Sequence, residues 1–476
     1  MDYKIKDMGE VCIEKVRPME DRVSIGMCLY FGLLYNSGGN CQSYYGKANF
    51  EETAAMAGVT GQDIVRCKAN LMDMKISVIS SHKISVRAVV LVTVSAEEIY
   101  DREVIKKIEM DNVRDERLEV RMMKLIANRK DTFRIRESVN INQGMSNIGE
   151  IIWQELRVKD LCFTPADGRI DVKGNLSFFV IYQGENGGEL NYYDNVVPFS
   201  GSLDISNGRQ EDVYDINIVS CEKSLISRND GNGETRIFDG EIIMSLDICG
   251  YRNEDVSLLT DIYAPGYEIT PKTEKLEYER LVENKVVDID INERIKNEDG
   301  GKIIYTCGDV IVDEIIQKDN KIDIEGTISV QIMMEDKEAM PPITVSHHDI
   351  PFSYQAGMDK YEKDSELCGK VNNISLYSKR ISDKEISVNG TIKMEIMAKS
   401  TTTTPVVINA DVEKVPKEKL KNIPGITGYI VKEGDTLWNI AKRFYTTADS
   451  IMEANNLEND MIYPGMKLII LKLYCF

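Results

Sequence analysis

The sequence is poor in histidine and tryptophan, with three of the first and two of the second in 476 residues. Histidine titrates near neutral pH and is a frequent zinc ligand, so its scarcity leaves little from which to build an acid–base pair or a metal centre. Ten cysteines run from Cys12 to Cys475 without one CxxC pair, and no ligand set is spaced for structural zinc. Buried, reduced thiols are expected, with late oxidative cross-linking as the other reading. Basic excess is lacking too. The balance of 58 Lys and Arg against 78 Asp and Glu leaves a formal charge of -20, which repels phosphate backbones and anionic lipid. No stretch approaches about 18 uncharged apolar residues, so no membrane-spanning helix is expected. The opening MDYKIKDMGEVCIEKV has mixed charge and no apolar run of about 7 to 15 residues, so no secretory signal peptide is expected. The patterns GxxxxGK(S/T), GxGxxG after a strand, GxSxG and HExxH are absent.

What is present is ordered by repetition. Apolar residues make up 42% and mean hydropathy is -0.27, enough to bury real cores. The stretch GRIDVKGNLSFFVIY (Gly168 to Tyr182) aligns without gaps to NKIDIEGTISVQIMM (Asn320 to Met334). Each is followed by the same corner, VVPFS (Val196 to Ser200) or DIPFS (Asp349 to Ser353), and then by a closing run, IFDGEIIMSLDI (Ile237 to Ile248) or SVNGTIKMEIMA (Ser387 to Ala398). A more divergent copy opens the chain, with DRVSIGMCLYFGLLY (Asp21 to Tyr35) and ANF (Ala48 to Phe50) in the corresponding places. Phe50 and Phe352, Lys68 to Asn70 and Lys370 to Asn372, and Ile84 and Ile386 share one constant offset.

Within each copy apolar residues alternate, as at Ile170, Val172, Leu176, Phe178 and Val180, which is the period of a strand with one buried face. Glycine in mid-strand marks a bulge or a close backbone approach. The expected fold class is mainly β and multidomain: three antiparallel β-sandwich-like repeats with helical connectors, then a small βααβ domain. The Glu-, Lys-, Arg- and Met-rich segment Ala96 to Lys130, with Leu118, Met122 and Leu125 at helical spacing, predicts a connector helix, and Lys272 to Lys285 a shorter one. The Thr run and prolines of Lys399 to Gly428 read as a linker.

Candidates for chemistry are few. His82, His347 and His348 fall at expected turns or strand ends, and Asp171 and Asp323 recur inside the repeat, which favours a structural place. With no convergent acid, base or nucleophile set, the chain reads as a non-enzyme without metal or cofactor.

The most specific stretch is GYIVKEGDTLWNIAKRFYTTADSIMEANNLENDMIYPGMKLIIL. A short strand at Tyr429 to Val431 turns at Glu433-Gly434-Asp435 into a helix capped by Asp435 or Thr436, with Leu437, Ile440, Ala441 and Phe444 on its buried stripe. A second helix over Asp449 to Asn455 turns Ile451 and Ala454 inward, and Pro464-Gly465 leads into a closing strand. Through GDTL, ANNL and IYPGMKLII the segment resembles the LysM module. That resemblance implies a βααβ fold and a groove for N-acetylglucosamine polymers, edged here by Gly434, Asp435, Thr436 and Leu437, and by Asn456, Leu457, Ile462, Tyr463 and Pro464. Trp438 is an anchor candidate if it faces that groove and a structural residue if it packs elsewhere.

Upstream, SNIGEIIW (Ser146 to Trp153) and GRIDVKG (Gly168 to Gly174) resemble the SPOCS domain of sporulating Firmicutes. Joined to a terminal LysM module, such repeats resemble the SipL-like family of spore-coat morphogenetic proteins. The resemblance implies a site of action in the mother-cell cytoplasm at the outer forespore surface and then the spore coat, with the LysM module docked onto the coat-basement ATPase SpoIVA. The expected organisation is 1–98 divergent SPOCS repeat, 99–130 helical connector, 131–265 and 266–400 SPOCS repeats, 401–427 linker and 428–472 LysM. Other coat proteins are further possible partners, and peptidoglycan of the cell wall or spore cortex is the alternative ligand.

Overall fold

The computed structural model describes residues 3–80, 83–297, 300–336, 342–360, 362, 365–416, 418 and 424–472. The expected β-rich class is found. The first repeat folds as a three-stranded sheet of β1 (Tyr3–Met19), β2 (Arg22–Ser37) and β3 (Asn40–Ala55), and a two-stranded sheet of β4 (Ile64–Ser80) and β5 (Lys83–Glu97). The second begins with β6 (Arg114–Asn140) and continues through β7 (Ile148–Ala166), β8 (Arg169–Gly184), β9 (Leu190–Asp204), β10 (Val213–Asn229) and β11 (Thr235–Tyr263). The third runs through β12 (Tyr267–Lys296), β13 (Lys302–Lys318), β14 (Lys321–Glu335), β15 (Ile343–Gly357), β16 (Glu366–Ser382) and β17 (Glu385–Lys414). Their sheets are β7-β8-β9 with β10-β11-β6, and β13-β14-β15 with β12-β17-β16.

Alternation explains each sandwich. In the second repeat Ile170, Val172, Leu176 and Phe178 of β8 meet Phe238, Ile242, Met244 and Leu246 of β11 in one core; in the third, Ile322, Ile324 and Ile328 of β14 meet Ile386, Val388 and Ile392 of β17. The mid-strand glycines mark close approaches, and each also sits opposite a register shift in the preceding strand, between Lys159 and Cys162 for Gly174 and between Val312 and Glu314 for Gly326. Gly174 pairs with Phe199 and Gly326 with Phe352, so the corner phenylalanine lays its ring across the bare glycine of the neighbouring strand. A Cβ on Gly174 would stand 2.7 Å from Phe199 Cζ, and one on Gly326 would stand 2.8 Å from Phe352 Cζ and closer still to the Ile311 carbonyl oxygen.

Further bulges recur at Ile5, Ile152 and Ile304, near the start of the first strand of each repeat. The bulge turns each isoleucine into a single buried cluster, joined by Leu34, Ile181 and Met333 from the adjoining strands. It thereby gives the NIGEIIW piece its counterpart in the first repeat, the strand start at Tyr3 to Lys6. Directly after the bulges come Lys6, Trp153 and Tyr305, paired with Leu34, Ile181 and Met333. Lys6 Nζ lies 5.9 Å from the Trp153 ring centroid and 5.2 Å from that of Tyr305. It is ion-paired with Glu155 and lies 3.6 Å from Cys307 Sγ. Glu155 also accepts a hydrogen bond from Trp153 Nε1 at 2.9 Å and pairs with Arg157 at 3.3 Å. One buried ionic cluster thus draws on all three repeats.

The helical connectors are not helices. Residues 98–110 have no regular secondary structure, β6 takes up Arg114 onward, and Lys272 to Lys285 lies within β12. Leu118, the first residue of the spacing that suggested a helix, is 43% exposed, and the buried residue is Val120, which lies off that stripe. Pairing to β11 satisfies the backbone and overrides the composition, because helix propensity is a weak preference beside tertiary burial. The expected linker is likewise strand through Lys414, with Thr404, Val406 and Val407 buried; residues 417 and 419–423 and His82 lie outside the described residues. His347 and His348 stand within β15, paired with Gln331 and Val330.

The chain divides into two compact units. One comprises Met1–Ile99, Lys124–Arg252 and Leu281–Ser400; the other Tyr100–Met123, Asn253–Arg280 and Thr401–Phe476. In the second, Val120, Leu258, Leu276 and Val406 form one small cluster, and Leu259, Ile262 and Val407 form another. The nine described cysteines are all free; Cys12, Cys28, Cys67, Cys249 and Cys307 are buried as expected, whereas Cys162 and Cys368 are exposed.

Two outcomes are expected. Gly326→Ala should lower stability by about 1–3 kcal/mol through overpacking, read as an earlier midpoint in denaturant. Lys6→Ala should cost about 3–5 kcal/mol by stranding the buried Glu155 charge, and Lys6→Met with Glu155→Met should recover much of that loss. Burial alone would raise the Glu155 carboxyl, but the Lys6 and Arg157 charges and the hydrogen bonds from Lys6 and Trp153 hold it at about 2. Its stabilisation is therefore fully present above its ordinary value of 4.5 and is lost as pH falls toward about 2, which acid titration of the wild type against the double variant would reveal.

Candidate functional site

The terminal domain is a βααβ unit: β18 (Ile426–Ile430), α1 (Leu437–Arg443), α2 (Ala448–Asn455) and β19 (Lys467–Leu471), with β18 antiparallel to β19. Val431, Leu437, Ile440, Ala441, Ile451, Leu468 and Ile470 are its buried core. Phe444 is half-buried against it, whereas Ala454, expected to turn inward with Ile451, is half-buried without joining that core.

Each predicted groove residue has a local cause. Gly434 takes φ 82, a left-handed turn in open space that a side chain disfavours. Asp435 accepts from the Tyr429 hydroxyl at 2.6 Å and from the Lys432 N–H at 2.8 Å. The hydrogen bond from Tyr429, with that from Lys432, holds its carboxyl below the usual carboxylate range. Thr436, not Asp435, caps α1, accepting from the Asn439 N–H at 3.1 Å. Leu437 belongs to the core and offers no side chain to a ligand. Asn456 closes α2 in the left-handed conformation, and Leu457 and Ile462 are half-buried against the core. Tyr463 is 63% exposed, beside the exposed Pro464. The two edges are neighbours because Gly465 N–H donates to the Val431 carbonyl at 2.8 Å and Val431 N–H to that of Met466 at 2.9 Å. Of the residues expected to edge the groove, Thr436, Asn456, Tyr463 and Pro464 are accordingly exposed, with Asp435 half-buried.

Sequence reasoning overlooked Met461, 59% exposed beside Tyr463, because an exposed methionine in a loop has no periodic signal. It also left Trp438 open. Trp438 Nε1 donates to Asp261 at 2.8 Å and its ring meets that of Tyr263 edge-on at 4.7 Å, while Lys442 pairs with the same carboxylate at 2.6 Å. Trp438 is a seating residue for α1, and Tyr263 completes the domain core. Burial alone would raise the Asp261 carboxyl, but hydrogen bonds from Lys442, Trp438 and the Ile262 N–H hold it low. No group of three or more His, Cys, Asp or Glu is placed to hold a metal ion among the described residues.

The family model described as SipL, SPOCS domain matches residues 4–79 and 147–222, and that described as LysM domain matches 429–471. The chain is SipL-like, with SPOCS domains and a C-terminal LysM domain. The first SPOCS match covers the repeat expected to be the divergent one. The LysM segment is 48% identical over 44 residues to a probable N-acetylmuramidase of Lactococcus lactis subsp. cremoris, covering 9% of this chain and 10% of that protein. It is 56% identical over 39 residues to a probable endopeptidase p60 of Listeria monocytogenes, covering 8% of each. YkzQ, an uncharacterized protein of Bacillus subtilis, is 51% identical over 37 residues, 8% of this chain and 49% of YkzQ. The chain thus spans about a tenth of the two named enzymes, and the shared part is the LysM domain alone. No solved structure matches the chain. Among the described residues no helix is long and apolar enough to cross a membrane.

Asp261→Ala should strip Trp438 and Lys442 of their shared acceptor. The expected result is faster amide hydrogen exchange in α1, with destabilisation of about 1–3 kcal/mol; unchanged exchange there would refute the seating role.

Proposed function

We propose that this chain is a non-enzymatic scaffold of spore-coat assembly whose LysM domain docks onto SpoIVA at the outer forespore surface, in the mother-cell cytoplasm. The observation that carries the reading is an apolar surface on the LysM domain beyond what sugar recognition uses. Met461 and Tyr463 stand exposed at the groove edge, and Ile426, Ile430, Ile469 and Leu471 stand exposed on β18 and β19. Register puts Ile426 opposite Leu471, with Ile430 and Ile469 at alternate positions of the same two strands, so these four share the face turned away from the core. Exposed apolar patches of this kind mark protein contacts, and tyrosine and methionine are enriched at them. The SPOCS repeats supply further faces for other coat proteins.

The second reading is peptidoglycan binding at a cell wall or spore cortex. The likeness of the LysM segment to a probable N-acetylmuramidase favours it, as does Tyr463 beside the polar Thr436 and Asn456.

Purified full-length chain mixed with SpoIVA or with insoluble peptidoglycan separates the two. The scaffold reading expects capture by SpoIVA, with Tyr463→Ala and Ile469→Glu each weakening it at least tenfold, and the chain left in the supernatant over peptidoglycan. Sedimentation with peptidoglycan, lost in Tyr463→Ala but kept in Ile469→Glu, would instead assign the groove to glycan.

A further inference from the structure

The second sheets of the repeats differ by one strand. In the second and third repeats the closing strand has a neighbour on each side, β11 between β10 and β6, and β17 between β16 and β12. In the first repeat the closing strand is β5, and its partner among the described residues is β4 alone. One edge of β5 therefore faces outward with its backbone donors and acceptors unused by any strand.

Side chains along β5 carry the mark of the missing neighbour. Val86, Val90, Val92 and Val94 correspond to Phe238, Ile242, Met244 and Leu246 of β11 and to Val388, Ile392, Met394 and Ile396 of β17. The eight equivalents are buried, whereas the four valines are only half-buried. What closes the other cores is the extra strand. Phe133, Ile135 and Val139 of β6 join the second, and Val287, Ile289 and Ile291 of β12 join the third. On the outer face Val89 and Leu91 are 49% and 50% exposed.

The internal strands also show how the edge is read. Side-chain pairs Ser138–Asp239 and Arg134–Glu241, and likewise Asp290–Thr391 and Asp288–Lys393, run in opposite directions along the two strands, so the added strand is antiparallel. Charges are complementary across the join. On the first repeat Lys75 of β4 stands directly opposite Arg87 of β5, and both are exposed. Like charges so placed are destabilising, and an acidic side chain on the next strand would relieve them.

We propose that β5 is a docking edge for an extended strand of another protein, laid antiparallel, with aliphatic residues at alternate positions turned into the first repeat and acidic residues on its outer face. Main-chain hydrogen bonds supply affinity and the half-buried valine row supplies selectivity, as in strand addition generally. A second copy of this chain is the poorer occupant, because its own β5 has no acidic residue from Lys83 to Ala96. The inference stands apart from the ligand of the LysM groove.

The probe is a labelled peptide of the β12 sequence Leu281 to Lys296, which carries Asp288 and Asp290 on its outward face, titrated into the full chain by fluorescence anisotropy. Saturable binding is expected, weakened at least tenfold by Leu91→Lys or Arg87→Glu; both positions are exposed, so the fold should survive, which circular dichroism checks. A peptide with both aspartates replaced by lysine should bind wild type at least tenfold more weakly and regain affinity for Arg87→Glu. Absence of saturable binding, or equal binding by wild type and Leu91→Lys, would overturn the proposal. So would a concentration-dependent dimer in light scattering that Leu91→Lys abolishes, which would give the edge to a second copy.

Discussion

The unit built from the three repeats turns on a buried ion pair. Lys6 of the first repeat meets Glu155 of the second beside Cys307 of the third, with Trp153 and Tyr305 rings on the ammonium. A buried charge is costly unless its partner is in place, so the cluster is satisfied only when all three repeats have folded and met. Arg157 extends it to Asp309, and Phe179 stacks on Tyr305 at 3.9 Å, which adds apolar area to the same junction. Three divergent copies are thereby made into one body. The asymmetry matters, since equivalent positions hold a lysine, a tryptophan and a tyrosine, and three identical residues there could not have satisfied a single charge.

The same logic of repetition with local departure explains what is exposed. The second and third repeats each take a strand from the segment that precedes them, which converts a half-open sheet into a closed core. The first repeat keeps its edge. An edge row of valines with unpaired backbone is a hazard that proteins usually blunt, and here exposed Lys75 and Arg87 stand beside it. The LysM domain follows a different plan. Its core is complete only with Tyr263, from outside the βααβ unit, and Trp438 is committed to that contact. Tyr463 and the outer face of β18 and β19 are left exposed.

Legibility followed the physics of each signal. Alternation and gapless self-alignment revealed the strands, their equivalence and the corner phenylalanines, because a period of two reports directly on one buried face. The turns and caps of the LysM domain were readable because Gly434, Thr436 and Asn456 have local backbone reasons to be where they are. Residues 114–130 and 272–285 were misread as helix because Glu, Lys, Arg and Met suit a helix in isolation, and nothing local announced that β11 and β17 would pair with them. Met461 and the Asp261 seat carried no pattern at all.

By itself the sequence determined the number of repeats, the strand period, the recurrent mid-strand glycines and corner phenylalanines and the terminal βααβ domain, all of which rest on local geometry or on internal comparison. Tertiary structure alone decided that Lys6, Glu155 and Cys307 share one site, that Trp438 faces Asp261, and that among the described residues β5 has one strand neighbour where its equivalents have two. Those facts depend on contacts between residues more than a hundred positions apart, or on a strand that is missing, and one-dimensional order encodes neither.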